Sequence, residues 1–286
     1  MLQKILALTM ALILAVGCAA FAETQSDPWW NILLLGTDNR DDIDGGYSRT
    51  DSMIILSVNT ETAEAKLTSL MRDTWVHIDG HGNAKLNAAC VYGGPQLTMQ
   101  TINENFDTNL QDYVLINITG LADVIDILGG VEIDITEEER KAINKGLFDL
   151  SSRSGMEKVE ASGENILLNG NQAVAFARIR MIDSDYKRTE RQREVLLKLA
   201  GKLKDDVSVL TLASLVTSLM PYVETNLDLA DLVSLGTVGL KMDLDSIDQL
   251  RLPADGTFES GTFSGVWCIK PNFEKNAALL QEFIYG

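Results

Sequence analysis

Two stretches concentrate side chains that could do chemistry. The first, FARIRMIDSDYKRTERQR (176–193), carries Arg178, Arg180, Arg188, Arg191 and Arg193 in a chain whose formal net charge is -17. The second, GTDNRDDIDGGYSRTDSM (36–53), brings Asp38, Arg40, Arg49 and Asp51, and LMRDT (70–74) adds Arg72 and Asp73. Guanidinium groups hold phosphate bidentately and do not titrate away near neutral pH. Magnesium takes few protein carboxylates and completes its shell with phosphate oxygens and water. Arginines beside two aspartates therefore suit a diphosphate with Mg2+, the usual equipment of phosphoryl transfer.

Other chemistries find little support. There is no G-x-x-x-x-G-K-[ST] loop for nucleotide hydrolysis and no G-x-S-x-G or Cys/His arrangement for acyl chemistry. His77 and His81 in HIDGHG lack a third ligand at useful spacing and read as surface residues rather than a zinc site. The acidic balance argues against nucleic acid.

Strands and helices must position these groups. NILLLG (31–36) and SMIILSVN (52–59) are apolar on both faces, as central strands of a covered sheet should be. AKLTSLM (65–71) follows the second after only TETAE (60–64), so the two form an antiparallel hairpin. Pairing Val58 with Ala65 sets Asp51 opposite Arg72, since both pairs sum to 123. Arg49, two residues before Asp51, is expected on the same face. If the first strand runs antiparallel beside the second, Asp38 and Arg40 reach that edge as well. Alternatively, these residues are ordinary exposed ion pairs contributing little.

Further along, helices are predicted at 95–106 after the Gly93-Gly94 turn, at 119–130 ending in glycines, at 169–177 and at 188–204, with strands at 112–118 and 131–135. Two helices follow within 207–240, then a strand near QLRLP and a final helix in 272–285. The order predicts an α/β fold, an α/β/α sandwich with a central mixed sheet and helices on both faces. On the 188–204 helix the apolar stripe Val195, Leu196, Leu199 and Leu203 extends backward onto Gln192 and Arg188. Arg193 is expected on the solvent side and Arg191 on the border. A buried arginine needs a partner, and Asp183 or Asp185 would serve Arg188. Arg178 and Arg180 share a face only if the chain is extended there, so the preceding helix should end near Arg178.

The N-terminus reads as an export signal: Lys4, an apolar run from Ile5 to Ala22 and the A-x-A site Ala20-Phe21-Ala22 before Glu23. An uncleaved anchor and a lipoprotein-type Cys18 are the alternatives. The expected organisation is a signal or anchor at 1–22 and one extracytoplasmic domain at 23–286, secreted or retained at the outer face of the cytoplasmic membrane or the cell wall. A disulfide between Cys90 and Cys268 is permitted there; two buried thiols fit as well.

The stretches ILLLGTDNR, RTDSMIILSVN, LTSLMRDTWV, KLNAACVYGG, ITGLADVIDILGGVEIDI, LNGNQAVAFARIR and DYKRTERQR, spanning about 31–204, resemble the LytR–CpsA–Psr family of cell-envelope proteins. The resemblance implies an α/β/α sandwich and a transferase that moves a glycopolymer (teichoic acid, capsule or another polysaccharide) from an undecaprenyl-diphosphate carrier in the outer leaflet to peptidoglycan, leaving a phosphodiester. It also implies that Asp38 and Asp51 hold Mg2+. Arg49, Arg72, Arg178, Arg180, Arg188 and Gln192 would hold the diphosphate, with Asp185 linked to the arginine set and a hydrophobic tunnel taking the polyprenyl chain. Asp73 and Asp185 are candidates for a general base. A pyrophosphatase on the same site, or a protein that tethers anionic polymer or lipid without turnover, are the competing readings. Met71 stands where the family commonly has proline, and Cys90 where it often has an aromatic; neither is a phosphate or metal ligand.

Overall fold

The computed structural model describes residues 27–37, 46–149, 157–206, 209–263 and 265–286. The N-terminal signal reading, with Cys18 and the A-x-A site, lies outside the described residues, as do Asp38 and Arg40.

The central sheet is built on β1 (Trp29–Thr37), β2 (Thr50–Asn59) and β3 (Ala65–Leu70), with β6 (Asp112–Asn117), β9 (Val223–Thr225) and β10 (Asp248–Leu252) completing the order β10-β3-β2-β1-β6-β9. β2 runs antiparallel to both β1 and β3, whereas β1–β6 and β3–β10 are parallel, so the sheet is mixed. The central strands are apolar on both faces because both are covered. On one face Leu33, Leu35, Met53 and Ile55 pack under α1 (Ala88–Phe106) and the C-terminal α8 (Phe273–Tyr285). The backbone of α1 leaves helical geometry at Gly93 and Gly94, where the sequence predicts a turn.

The other face is covered by α2 (Ile118–Ile127), α4 (Gly170–Ala177), α5 (Asp185–Asp206), α6 (Val209–Leu219) and α7 (Leu229–Gly239). A second core lies among α2, α4, α5 and α3 (Glu137–Asp149), together with the ribbon of β7 (Val131–Ile135) and β8 (Gly163–Leu168). α2 and α4 approach so closely that a Cβ on Gly170 would lie 2.0 Å from the Ala122 carbonyl oxygen. An Asn169–Gln172 capping box fixes the start of α4. Two further hairpins, β4 (Trp75–Ile78) with β5 (Gly82–Lys85) and β11 (Phe258–Phe263) with β12 (Val266–Pro271), stand at the edge and meet through a bridge between Thr74 and Ile269. Among the described residues no helix is long and apolar enough to cross a membrane.

Two expectations about α5 are corrected. Arg193 is buried, not on a solvent side: it donates to Gln249 of β10 at 2.6 Å and to the Ser69 hydroxyl of β3 at 2.8 Å. Arg191 is not at a border either but buried between Glu139 of α3, at 2.9 Å, and Asp183. α5 is sandwiched, so the sides flanking its leucine stripe are covered by other elements. Cys90 and Cys268 are both buried free thiols, and the structure does not join them.

Candidate functional site

The predicted hairpin register holds. Val58 faces Ala65 and Ile54 faces Ser69, and beyond the last pair Arg72 Nη1 donates to Asp51 Oδ1 at 2.5 Å. On the opposite side of β2, Gly36 pairs with Ser52 but Thr37 pairs with Thr50, which leaves Asp51 as the extra residue of a β-bulge. Bulges bend a strand locally and re-aim a side chain. This one interrupts the strict alternation along β2, and Arg49, just before the strand, is exposed.

The arginine-rich stretch meets Asp51 from the other side. α4 ends at Ala177, with Arg178 as its cap, and the chain then delivers Arg180 Nη2 to Asp51 Oδ2 at 2.6 Å. In the first turns of α5, Arg188 Nη2 donates to Asp185 at 2.9 Å and Gln192 Nε2 lies 3.4 Å from the Asp51 carbonyl oxygen. Thus Asp51, Arg72, Arg180, Arg188, Asp185 and Gln192 assemble as the sequence predicts, while Arg178 lines the cavity beside them. Asp73 sits next to this group: it accepts from Lys85 Nζ at 2.6 Å, and its other oxygen lies 3.5 Å from Arg72 Nε. Lys85 gives no periodicity signal, because it comes from the β4–β5 hairpin.

The electrostatics are those of a site short of negative charge. Burial alone would raise the Asp51 carboxyl, but the charge and hydrogen bond of Arg72, with Arg180 and Arg188, hold it below the usual carboxylate range. Burial pulls the Arg188 guanidinium down to about 10; Asp185 opposes this, while Arg72 and Arg180 add to it. Arg188 is 2% exposed, yet its Nε and Nη1 have no hydrogen-bond partner among the described residues, nor has the buried Nε of Arg72. An unpaired buried donor on a charged group is strongly unfavourable. The two Arg188 N–H groups, with the Arg72 Nε whose nearest acceptor is Asp73 at 3.5 Å, are unsatisfied donors close to Asp51.

Beneath the cluster lies apolar space. A cavity of about 270 Å³ between sheet and α5 is walled by residues such as Leu34, Ile54, Val174 and Val195, with Asp51, Arg178 and Gln192 also lining it. A second cavity of about 330 Å³, bounded by residues such as Leu56, Leu67, Leu203 and Met242, shares Val114 and Leu196 with the first. The two cavities are therefore neighbours along α5, the first beside Arg178 and the second toward the C-terminal half of the helix.

Among the described residues no three His, Cys, Asp or Glu side chains group to hold a metal by themselves. Asp51 offers one carboxylate, whose two oxygens accept from Arg72 and Arg180. A magnesium ion there would have that carboxylate as a protein ligand and would draw its remaining oxygens from phosphate and water.

Comparison with known proteins identifies the family. The chain is 32% identical over 247 residues to the polyisoprenyl-teichoic acid–peptidoglycan teichoic acid transferase TagU of Oceanobacillus iheyensis, covering 83% of this chain and 69% of that one. The crystal structure of Bacillus subtilis TagT superposes with a TM-score of 0.70 at 28% identity, over 91% of this chain and 94% of the other. The LytR-CPS2A-psr family protein YwtF (TagT) with bound octaprenyl pyrophosphate lipid gives 0.67 at 27%, over 91% and 93%. The sequence profile of the LytR_cpsA_psr family matches residues 15–281, and this chain belongs to that family.

Proposed function

We propose that this protein transfers a glycopolymer from a polyprenyl-diphosphate carrier to peptidoglycan, acting outside the cytoplasm, secreted or retained at the outer face of the cytoplasmic membrane or the cell wall, with residues 23–286 as its catalytic unit. The observation that carries this reading is that Asp51, Arg178 and Gln192 line an apolar cavity while the buried, unpartnered guanidinium N–H groups of Arg72 and Arg188 stand close to Asp51. One end of that space suits a diphosphate and the other a hydrocarbon chain. The relatives named above supply the class of glycopolymer and acceptor.

In the proposed step an acceptor hydroxyl attacks the phosphorus that carries the sugar. An O–P bond forms, the bridging P–O bond breaks, and its electron pair leaves on polyprenyl phosphate. Arg72, Arg180 and Arg188 bind the phosphate oxygens and stabilise the charge that develops there. Arg178 and Gln192 orient the diphosphate above the cavity. Asp73, beside Arg72, receives the hydroxyl proton; Asp185 is a positioning residue that holds Arg188. Asp51, with Asp38, would hold Mg2+, which neutralises phosphate charge when bound. Asp51 now engages Arg72 and Arg180, and these arginines turn to phosphate when substrate arrives.

The test is to incubate the protein with a polyprenyl-diphosphate-linked sugar, Mg2+ and a soluble peptidoglycan oligomer, and to weigh the products. Transfer yields the phosphodiester-linked glycan and polyprenyl phosphate. Sugar phosphate without linked product would establish a hydrolase, and unchanged substrate a binding protein.

A further inference from the structure

The established cavity and arginine cluster account for the donor, but nothing yet receives the acceptor. Asp73 is the start of a short chain of contacts leading away from the cavity. Its carboxylate takes the Lys85 ammonium at 2.6 Å, and Lys85 Nζ in turn lies 5.9 Å from the centre of the Trp267 ring. Trp267 is 48% exposed and its neighbour Val266 40%, at the start of β12. A single exposed aromatic is ordinary on a protein surface. This one is tied to the reaction centre by backbone as well as side chain, because the Ile269 N–H donates to the Asp73 carbonyl at 3.0 Å and Thr74 bridges Ile269.

Geometry of the proposed transfer gives that position a role. Phosphoryl displacement is roughly in line, with the nucleophile opposite the leaving oxygen. The leaving group is polyprenyl phosphate, whose chain fills the cavity between sheet and α5. Arg72, Asp73, Lys85 and Trp267 do not line that cavity. An acceptor hydroxyl must therefore approach from outside it, and Asp73 and Lys85 stand beside Arg72 outside that lining. A sugar ring presents apolar C–H faces and hydroxyl edges, and a tryptophan face flanked by an ammonium matches both.

Resting on the transferase reading, we propose that Trp267 and Lys85 form the acceptor subsite: a peptidoglycan sugar stacks on the Trp267 ring and hydrogen-bonds Lys85, presenting its hydroxyl to Asp73. The β11–β12 hairpin is thereby a specificity element, although it lies outside the stretches that carry the family resemblance.

The experiment compares wild type, Trp267→Ala and Trp267→Phe in the transfer assay, with acceptor and donor varied separately. It also titrates each protein with soluble peptidoglycan oligosaccharide by calorimetry in the absence of donor. Trp267→Ala should raise the acceptor KM about tenfold, the size of one well-packed contact, with the donor KM unchanged. Trp267→Phe should recover most of the loss, and calorimetric affinity should fall in parallel. An unchanged acceptor KM and affinity in Trp267→Ala would overturn the subsite while leaving the transferase reading intact. A rise in donor KM alone would place the ring on the donor's glycan and equally overturn it. If wild type transfers nothing, that reading fails, and the calorimetry still decides whether Trp267 binds sugar.

Discussion

Asp51 accepts hydrogen bonds from Arg72 on one carboxylate oxygen and from Arg180 on the other, at 2.5 and 2.6 Å, although Arg180 is 129 residues away in sequence. The β-bulge at Asp51 and the end of α4 at Arg178 together create this meeting. If Asp51 and Arg72 formed only a structural ion pair, exchanging the two residues would preserve function. The site proposed above requires that exchange to abolish it. Asp51→Asn should fold, lose Mg2+ dependence and lose on the order of 10²–10³ in single-turnover rate. Arg72→Lys should fail similarly, because an ammonium cannot reproduce a guanidinium fork. Polyprenyl phosphate release, with melting curves as a folding control, measures both.

The same ion pairs make an acid-pH prediction. Asp51 is held below its ordinary value of 3.8, so its pairing stabilises the fold above that pH. The contribution is lost as pH falls through the depressed value. Wild type should thus be more stable than Asp51→Asn near neutrality, and the difference should vanish in strong acid. Chemical denaturation of both proteins between about pH 2 and 7 checks it.

Arg188 should act in the opposite sense. Its guanidinium is pulled down to about 10 by burial, so between that pH and its ordinary value the unfolded chain binds more protons. Charged Arg188 therefore opposes folding at neutral pH, and the penalty is relieved as pH rises through 10. Ligand-free Arg188→Met should melt on the order of 2–4 °C above wild type at neutral pH. It should also lose the stabilisation that inorganic pyrophosphate gives wild type. Differential scanning calorimetry with and without pyrophosphate reads both effects.

Leu196 lines both apolar cavities, so a larger side chain there divides the path. Leu196→Trp should weaken binding of long polyprenyl diphosphates about tenfold or more, and by a larger factor than it weakens a short prenyl diphosphate that ends in the first cavity. Affinities across a chain-length series would show the break.

Much of this was legible in the sequence for identifiable reasons. The five-residue connection between β2 and β3, Thr60–Glu64, fixed the hairpin register, which carries Asp51 toward Arg72. The leucine stripe of α5 pointed backward onto Arg188 and Gln192, which do reach the site. The burial of Arg191 and Arg193 was hidden because their partners Glu139, Ser69 and Gln249 lie 52, 124 and 56 residues away, on elements whose packing no local period records. The bulge at Asp51 interrupts alternation by one residue without a sequence signature. Lys85 and Trp267 sit on short hairpins whose approach to Asp73 depends on long-range bridging.

The most direct measurement is a crystal structure of the protein with Mg2+ and a polyprenyl diphosphate. The diphosphate oxygens should accept hydrogen bonds from Arg72 Nε and from Arg188 Nε and Nη1, the donors that lack partners without ligand. Mg2+ should sit on Asp51, and the chain should pass Leu196 between the two cavities. A diphosphate bound elsewhere, with those three N–H groups still unpartnered, would contradict the assignment of this cluster as the phosphoryl-transfer site.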